Sequence, residues 1–178
     1  MEEYIKCFSC GAKSLNISGQ THEYMLSAPG CYEMFNEVMD REYSDLQYAR
    51  AHHYTVDAYA CQHPGELTNP KAVNSTGIHL VSLHMLFEKQ MDITLAARLK
   101  MEFAQFNKET QLIKQLQHPK TFGELTIYEI WNNEDGSKHF ELCKQWAFLT
   151  WQAWSAHHTT IEHWADKLVE CTEFTFKK

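Results

Sequence analysis

The stretch KHFELCKQWAFLTWQAWSAHHTTIEHWADKLVE, residues 138–170, decides the fold class. It contains neither Pro nor Gly, and its apolar groups recur at helical spacing, so it reads as one long helix. At 100° per residue, Trp146, Ala153, His157 and Trp164 fall within about 40° of one another. Trp151, Trp154 and His158 widen the same apolar side, whereas His163 points away. A helix with so broad an apolar side needs other helices to cover it.

The rest of the chain supplies those helices. Residues 31–41 carry apolar groups at helical spacing, and Ser44 with Gln47 suggests a capping box for a helix running to His63, broken near Thr55. Pro64-Gly65 ends it. Asn74 or Ser75 is a candidate cap for a helix over 76–90, and another spans 94–116. Thr126 with Glu129 offers a second capping box for a short helix, although Leu125 to Trp131 also suits a strand. Residues 1–30, punctuated by Gly11, Gly19, Pro29 and Gly30, read as irregular. No repeat, low-complexity tract or linker divides the chain. The expectation is a mainly α protein: one helical bundle over 1–178, with an irregular zinc-knuckle segment, 1–31, packed on it.

That opening segment carries the clearest chemistry. Cys7-x2-Cys10-Gly11, His22 and Pro29-Gly30-Cys31 have the residue types and spacing of a tetrahedral zinc site. The Cys-x2-Cys turn folds two sulfurs toward one point. Cys31 follows a Pro-Gly turn and starts a helix, whose N-terminus favours a thiolate. His22 or His63 is the fourth ligand, and the sequence leaves both open. A redox dithiol is the competing reading, but it belongs beside a βαβ pattern, and none is visible.

A second constellation is spread over three helices. Asp57, Cys61 and His53 share one face, with His52, Tyr59 and His63 on another. His79 lies with Leu83, Leu86 and Phe87, with His84 toward that helix's edge, while His157 and His158 border the tryptophans. The expectation is a polar pocket in the bundle lined by Asp57, His79 and one or both of His157 and His158. Against it stands the commoner role of a histidine on an apolar face, hydrogen-bonded to a backbone carbonyl. The tryptophans read as packing.

Composition narrows the function classes. With 178 residues, 44% of them hydrophobic, the chain has material for one sizeable core. The longest apolar runs are far short of a membrane span. No charged leader followed by an apolar run opens the chain, so the six cysteines belong to a reduced, cytoplasmic setting. A net charge of −7 disfavours nucleic acid as a partner. Around the knuckle, Lys6 and Lys13 are nearly the only cations. A small molecule in the pocket is the partner that fits. The oligomeric state is not written in the sequence.

Three segments together resemble an uncharacterised bacterial family of unknown function. They are Tyr54-Thr-Val-Asp-Ala-Tyr-Ala-Cys-Gln-His-Pro-Gly65, Gly77-Ile-His-Leu80 and Trp146-Ala-Phe-Leu-Thr-Trp-Gln-Ala-Trp-Ser-Ala-His-His158. The opening Cys-x2-Cys-Gly, the Thr21–Met25 stretch and the Ser27–Cys31 turn share the likeness, which spans nearly the whole chain. Many relatives carry Trp where this chain has Tyr32. The resemblance implies a bacterial origin and groups Cys7, Cys10, His22, Cys31, Asp57, Gln62, His63, His79, His157 and His158 into one or two sites, but it brings no activity. A looser likeness is to the damage-inducible (DinB-like) four-helix bundles, in which three histidines hold a divalent ion; the motif spacing differs.

Three functions follow as expectations. The first is a zinc-binding protein with a structural centre and a His/Asp pocket. The second is a metal-dependent hydrolase, with water activated in that pocket and Asp57 or a free imidazole as base. The third is a non-enzymatic, zinc-stabilised interaction module.

Overall fold

The computed structural model describes residues 3–171. The ends of the expected 1–178 domain, residues 1–2 and 172–178, lie outside the described residues. Among the described residues, eight α-helices follow a short hairpin: β1 (Tyr4–Lys6), β2 (Lys13–Leu15), α1 (Pro29–Ser44), α2 (Leu46–Ala49), α3 (His52–Gln62), α4 (Pro70–Phe87), α5 (Ile93–Thr110), α6 (Ile127–Trp131), α7 (Gly136–Ala153) and α8 (His158–Cys171). The protein is mainly helical, as the periodicity implies. Among the described residues, no helix is long and apolar enough to cross a membrane.

The caps explain most boundaries. Pro29 and Pro70 sit in the first turns of α1 and α4, where a missing N–H costs nothing. Asn69, five residues before the expected Asn74, caps α4 by accepting from the Lys71 N–H. Asp92 and Asp135 do the same for α5 and α7. Asp45, beside the expected Ser44, caps α2 by accepting from Gln47 N–H. The helix expected to reach His63 breaks at Arg50–Ala51, before Thr55. The Thr126–Glu129 capping box forms, so 127–131 is helix. Helix α5 stops at Gln111, which takes a left-handed φ of 51°.

The segment expected to be irregular contains an antiparallel hairpin, with Tyr4 opposite Leu15 and Lys6 opposite Lys13. It packs on the start of α1. Gly30 makes that possible, because a methyl there would collide with the Leu15 carbonyl oxygen.

The long helix expected over 138–170 is two helices. It breaks at Trp154 (φ −88°, ψ 13°), and a 3-10 turn, Ser155–His157, reorients the chain into α8. No breaker residue causes this. The Trp154 indole instead reaches across to donate to the Cys61 carbonyl at 3.1 Å, and Trp146, Trp151, Trp154 and Trp164 are all buried. Tertiary burial of tryptophan overrides local helix preference.

At the centre lies α3, packed against α7 and α4, while α4 also meets α5 and α8. From Tyr54 to His63 only Val56 is not fully buried. A helix covered on every side must satisfy its polar side chains inside the protein. Thr55, Asp57, Gln62 and His63 are the residues concerned, and each organises a polar cluster. Gln62 shows the purely structural case: its amide donates to the Phe122 and Leu125 carbonyls and to Thr150 Oγ1.

Candidate metal centre

The loop between β1 and β2 is a tight knuckle. The Cys7 N–H donates to the Ala12 carbonyl at 2.8 Å, and the Gly11 N–H to the Cys7 carbonyl at 2.9 Å. Gly11 takes φ 80°, a conformation that a side chain would strain. The turn points Cys7 and Cys10 toward Cys31, in the first turn of α1, and toward His63, the residue that ends α3. One ligand atom from each of these four residues lies within 4.8 Å of all the others. Cys7, Cys31 and His63 are at most 2% exposed. Cys7, Cys10, Cys31, Cys61 and Cys143 are free thiols.

The spacings fit a shared ion. Cys10 Sγ is 3.8 Å from Cys31 Sγ, and His63 Nε2 is 3.5 Å from Cys31 Sγ and 3.7 Å from Cys7 Sγ. A zinc tetrahedron, with Zn–S near 2.3 Å and Zn–N near 2.0–2.1 Å, requires about 3.8 Å between sulfurs and about 3.6 Å from sulfur to nitrogen. Hydrogen bonding prepares the ligands as well. His63 Nδ1 lies 2.7 Å from the Tyr59 carbonyl. A carbonyl only accepts, so Nδ1 carries the proton and the Nε2 lone pair faces the sulfurs. The Ala12 and Ala28 N–H groups donate to Cys10 and Cys7 at 3.4 Å.

Crowding three thiols splits their acidities. Hydrogen bonds from Cys10 and then Cys31 hold the Cys7 thiol far below its usual range, against burial. For Cys10, the hydrogen bond with Cys31 lowers the value, but the one with Cys7, burial and the Cys7 charge outweigh it and push it up to about 12. Cys31 is pushed up further by its bonds to Cys10 and Cys7 and by burial. Burial and mutual crowding therefore oppose ionising all three sulfurs together. A divalent ion removes that limit and lets all three bind as thiolates.

His22, the other candidate for the fourth position, lies outside this cluster. Its Nδ1 accepts from the Tyr24 N–H at 3.4 Å, and its ring packs edge-on against Tyr24 and Tyr32. Between His22 and His63, the geometry favours the residue fixed by a helix end.

The expected bundle pocket divides. Asp57 and His79 do meet: the His79 Nδ1–H donates to Asp57 Oδ1 at 2.6 Å. Two residues that sequence reasoning missed complete the group. Ser82 Oγ donates to Asp57 Oδ2 at 2.6 Å and Lys100 Nζ to Oδ1 at 2.7 Å. Burial disfavours the Asp57 charge, but the Lys100 ammonium and the His79 hydrogen bond outweigh it and hold the carboxyl well below its ordinary range. His79 also edges a surface concavity with Tyr24, Lys71, Asn74 and Ser75.

His157 and His158 lie outside this group. His157 Nε2 donates to the Gln117 carbonyl at 2.8 Å. His158 Nε2 donates to the Trp151 carbonyl at 3.0 Å, with its ring stacked on the Trp151 indole at 3.7 Å. At the helix break that carbonyl also accepts from the Trp154 N–H at 3.0 Å, so His158 supplies its second bond. The helical wheel that grouped these histidines with the tryptophans assumed a helix that stops at Ala153.

Fold and site together define a helical protein in which a hairpin knuckle, the start of one helix and the end of another form a Cys3His cluster suited to a metal ion. The chain belongs to a family described as a family of unknown function (DUF5946), whose match covers residues 5–155. No curated protein and no solved structure matches it.

Proposed function

We propose that the protein is a zinc-binding protein whose Cys7, Cys10, Cys31 and His63 centre is structural, in a reduced, cytoplasmic and, by its family resemblance, bacterial setting. The observation carrying this reading is the Nδ1 bond of His63 to the Tyr59 carbonyl, which aims a lone pair at three sulfurs gathered within 4.8 Å of one another. Four protein ligands leave no position for substrate water, which favours a structural role over a catalytic one. The ion would tie the hairpin and α1 to the end of α3. Elemental analysis of the protein purified under reducing conditions tests this. Cys10→Ala should lose the ion from this site, and His22→Ala should keep it. Unchanged zinc in Cys10→Ala would remove the centre.

A second reading attaches to the same molecule. The Asp57–His79 pair supports acid–base chemistry, because the carboxylate fixes the imidazole tautomer at the edge of a concavity that Lys71 and Asn74 make polar. A small polar molecule is the substrate or ligand that such a surface takes. A hydrolytic metal on Asp57 is disfavoured, since His79, Ser82 and the Lys100 ammonium already occupy both its oxygens.

A further inference from the structure

Glu42, near the end of α1, is buried deep in the bundle with its side chain fully covered. Its Oε1 accepts from Thr55 Oγ1 at 2.5 Å and lies 2.8 Å from His139 Nε2. A buried carboxylate is normally matched by a fixed cation, as Lys100 matches Asp57. Glu42 has none among the described residues. Its ion-pair partners are His139 and His52, which are charged only when protonated. Arg41, next in the chain, donates instead to the Trp131 and Asn133 carbonyls.

The groups around Glu42 are metal ligands. His139 Nε2 lies 2.8 Å from Glu42 Oε1 and 3.5 Å from Cys143 Sγ, so one ring nitrogen faces both. His139 and Cys143 are four residues apart on α7 and share a face. One atom from each of Glu42, His139 and Cys143 lies within 4.8 Å of the other two, and all three residues are buried. Glu42 Oε2 and the facing His52 Nδ1, 3.4 Å apart, have no hydrogen-bond partner.

We propose that Glu42, His139 and Cys143 form a second metal site, separate from the Cys3His centre, which takes zinc or a similar borderline divalent cation with His52 beside it. Imidazole, thiolate and carboxylate together suit such an ion. The sulfur–nitrogen spacing of 3.5 Å already matches the roughly 3.6 Å of a zinc tetrahedron. The nitrogen–oxygen pair must open by about half an ångström to share an ion, toward the roughly 3.3 Å that the same bond lengths imply. Oε2, which accepts no hydrogen bond, gives the carboxylate freedom to turn. One carboxylate and one thiolate neutralise the ion, so the buried site carries no net charge. Three protein ligands leave a fourth position for His52 or a small molecule, unlike the closed Cys3His centre.

Titration of the metal-free, reduced protein with Co2+ tests the proposal, read by metal-to-chain ratio and by sulfur-to-cobalt charge-transfer absorption. The wild type should saturate at two ions per chain, and Cys143→Ser and Glu42→Gln at one, with the three-thiolate absorption retained. Saturation of the wild type at one ion with three-thiolate intensity overturns the second site, and it does so even if a variant fails to fold. A single ion lost in Cys143→Ser but kept in Cys10→Ser would support this site and refute the Cys3His centre.

Discussion

At the scale of single residues, the polar groups of α3 set the chemistry, and Asp57 shows how closely their partners are matched. With Lys100 replaced by Met, Asp57 keeps only His79 and Ser82. Removing one partner of a buried ion pair costs about 3–5 kcal/mol. Urea unfolding at neutral pH should show a loss of that order, and a change of under about 1 kcal/mol would mean that the ammonium matters little. The acid dependence should move too. Asp57 titrates lower folded than unfolded, where a carboxyl sits near 3.9, so its stabilisation is complete above that value and fades as pH falls through it toward the folded value. Without Lys100 the folded value rises, and the loss should begin at higher pH. Asp57 and His79 were legible because both stand out on helical faces. Ser82 and Lys100 were not, because a serine or lysine in a helix carries no mark of its partner. His63 was legible as an alternative, since a histidine before Pro-Gly ends a helix.

At the scale of elements, the helices were legible from apolar period and caps, and a break was expected near Thr55, a few residues after the one before α3, but the break at Trp154 was not. Nothing in residues 150–158 interrupts a helix locally; the interruption comes from the Trp154 indole reaching Cys61 on α3. His158 then becomes part of the join. His158→Ala should leave the Trp151 carbonyl with one bond fewer and remove a stacked ring. We expect about 1–3 kcal/mol less stability in thermal or urea unfolding, with metal content unchanged. Loss of bound metal with stability intact would return His158 to a ligand role. The β1–β2 hairpin was also hidden, because three-residue strands are too short for an alternation to register.

At the scale of the whole molecule, the Cys3His cluster joins parts of the chain that are distant in sequence: the hairpin loop, the N-terminus of α1 and the C-terminus of α3. Spacing alone grouped the three cysteines. It could not choose the histidine, which depends on how α3 returns beside the knuckle. A bound ion stabilises only the folded chain, in proportion to the logarithm of its concentration over its dissociation constant. With an ion bound, the arrangement would act as a clasp on the fold. The most direct check is diffraction from crystals of the reduced protein at the zinc absorption edge. An anomalous peak is expected about 2.3 Å from the sulfurs of Cys7, Cys10 and Cys31 and about 2.0–2.1 Å from His63 Nε2. A map with no peak there, or with two of those sulfurs joined in a disulfide, would contradict it.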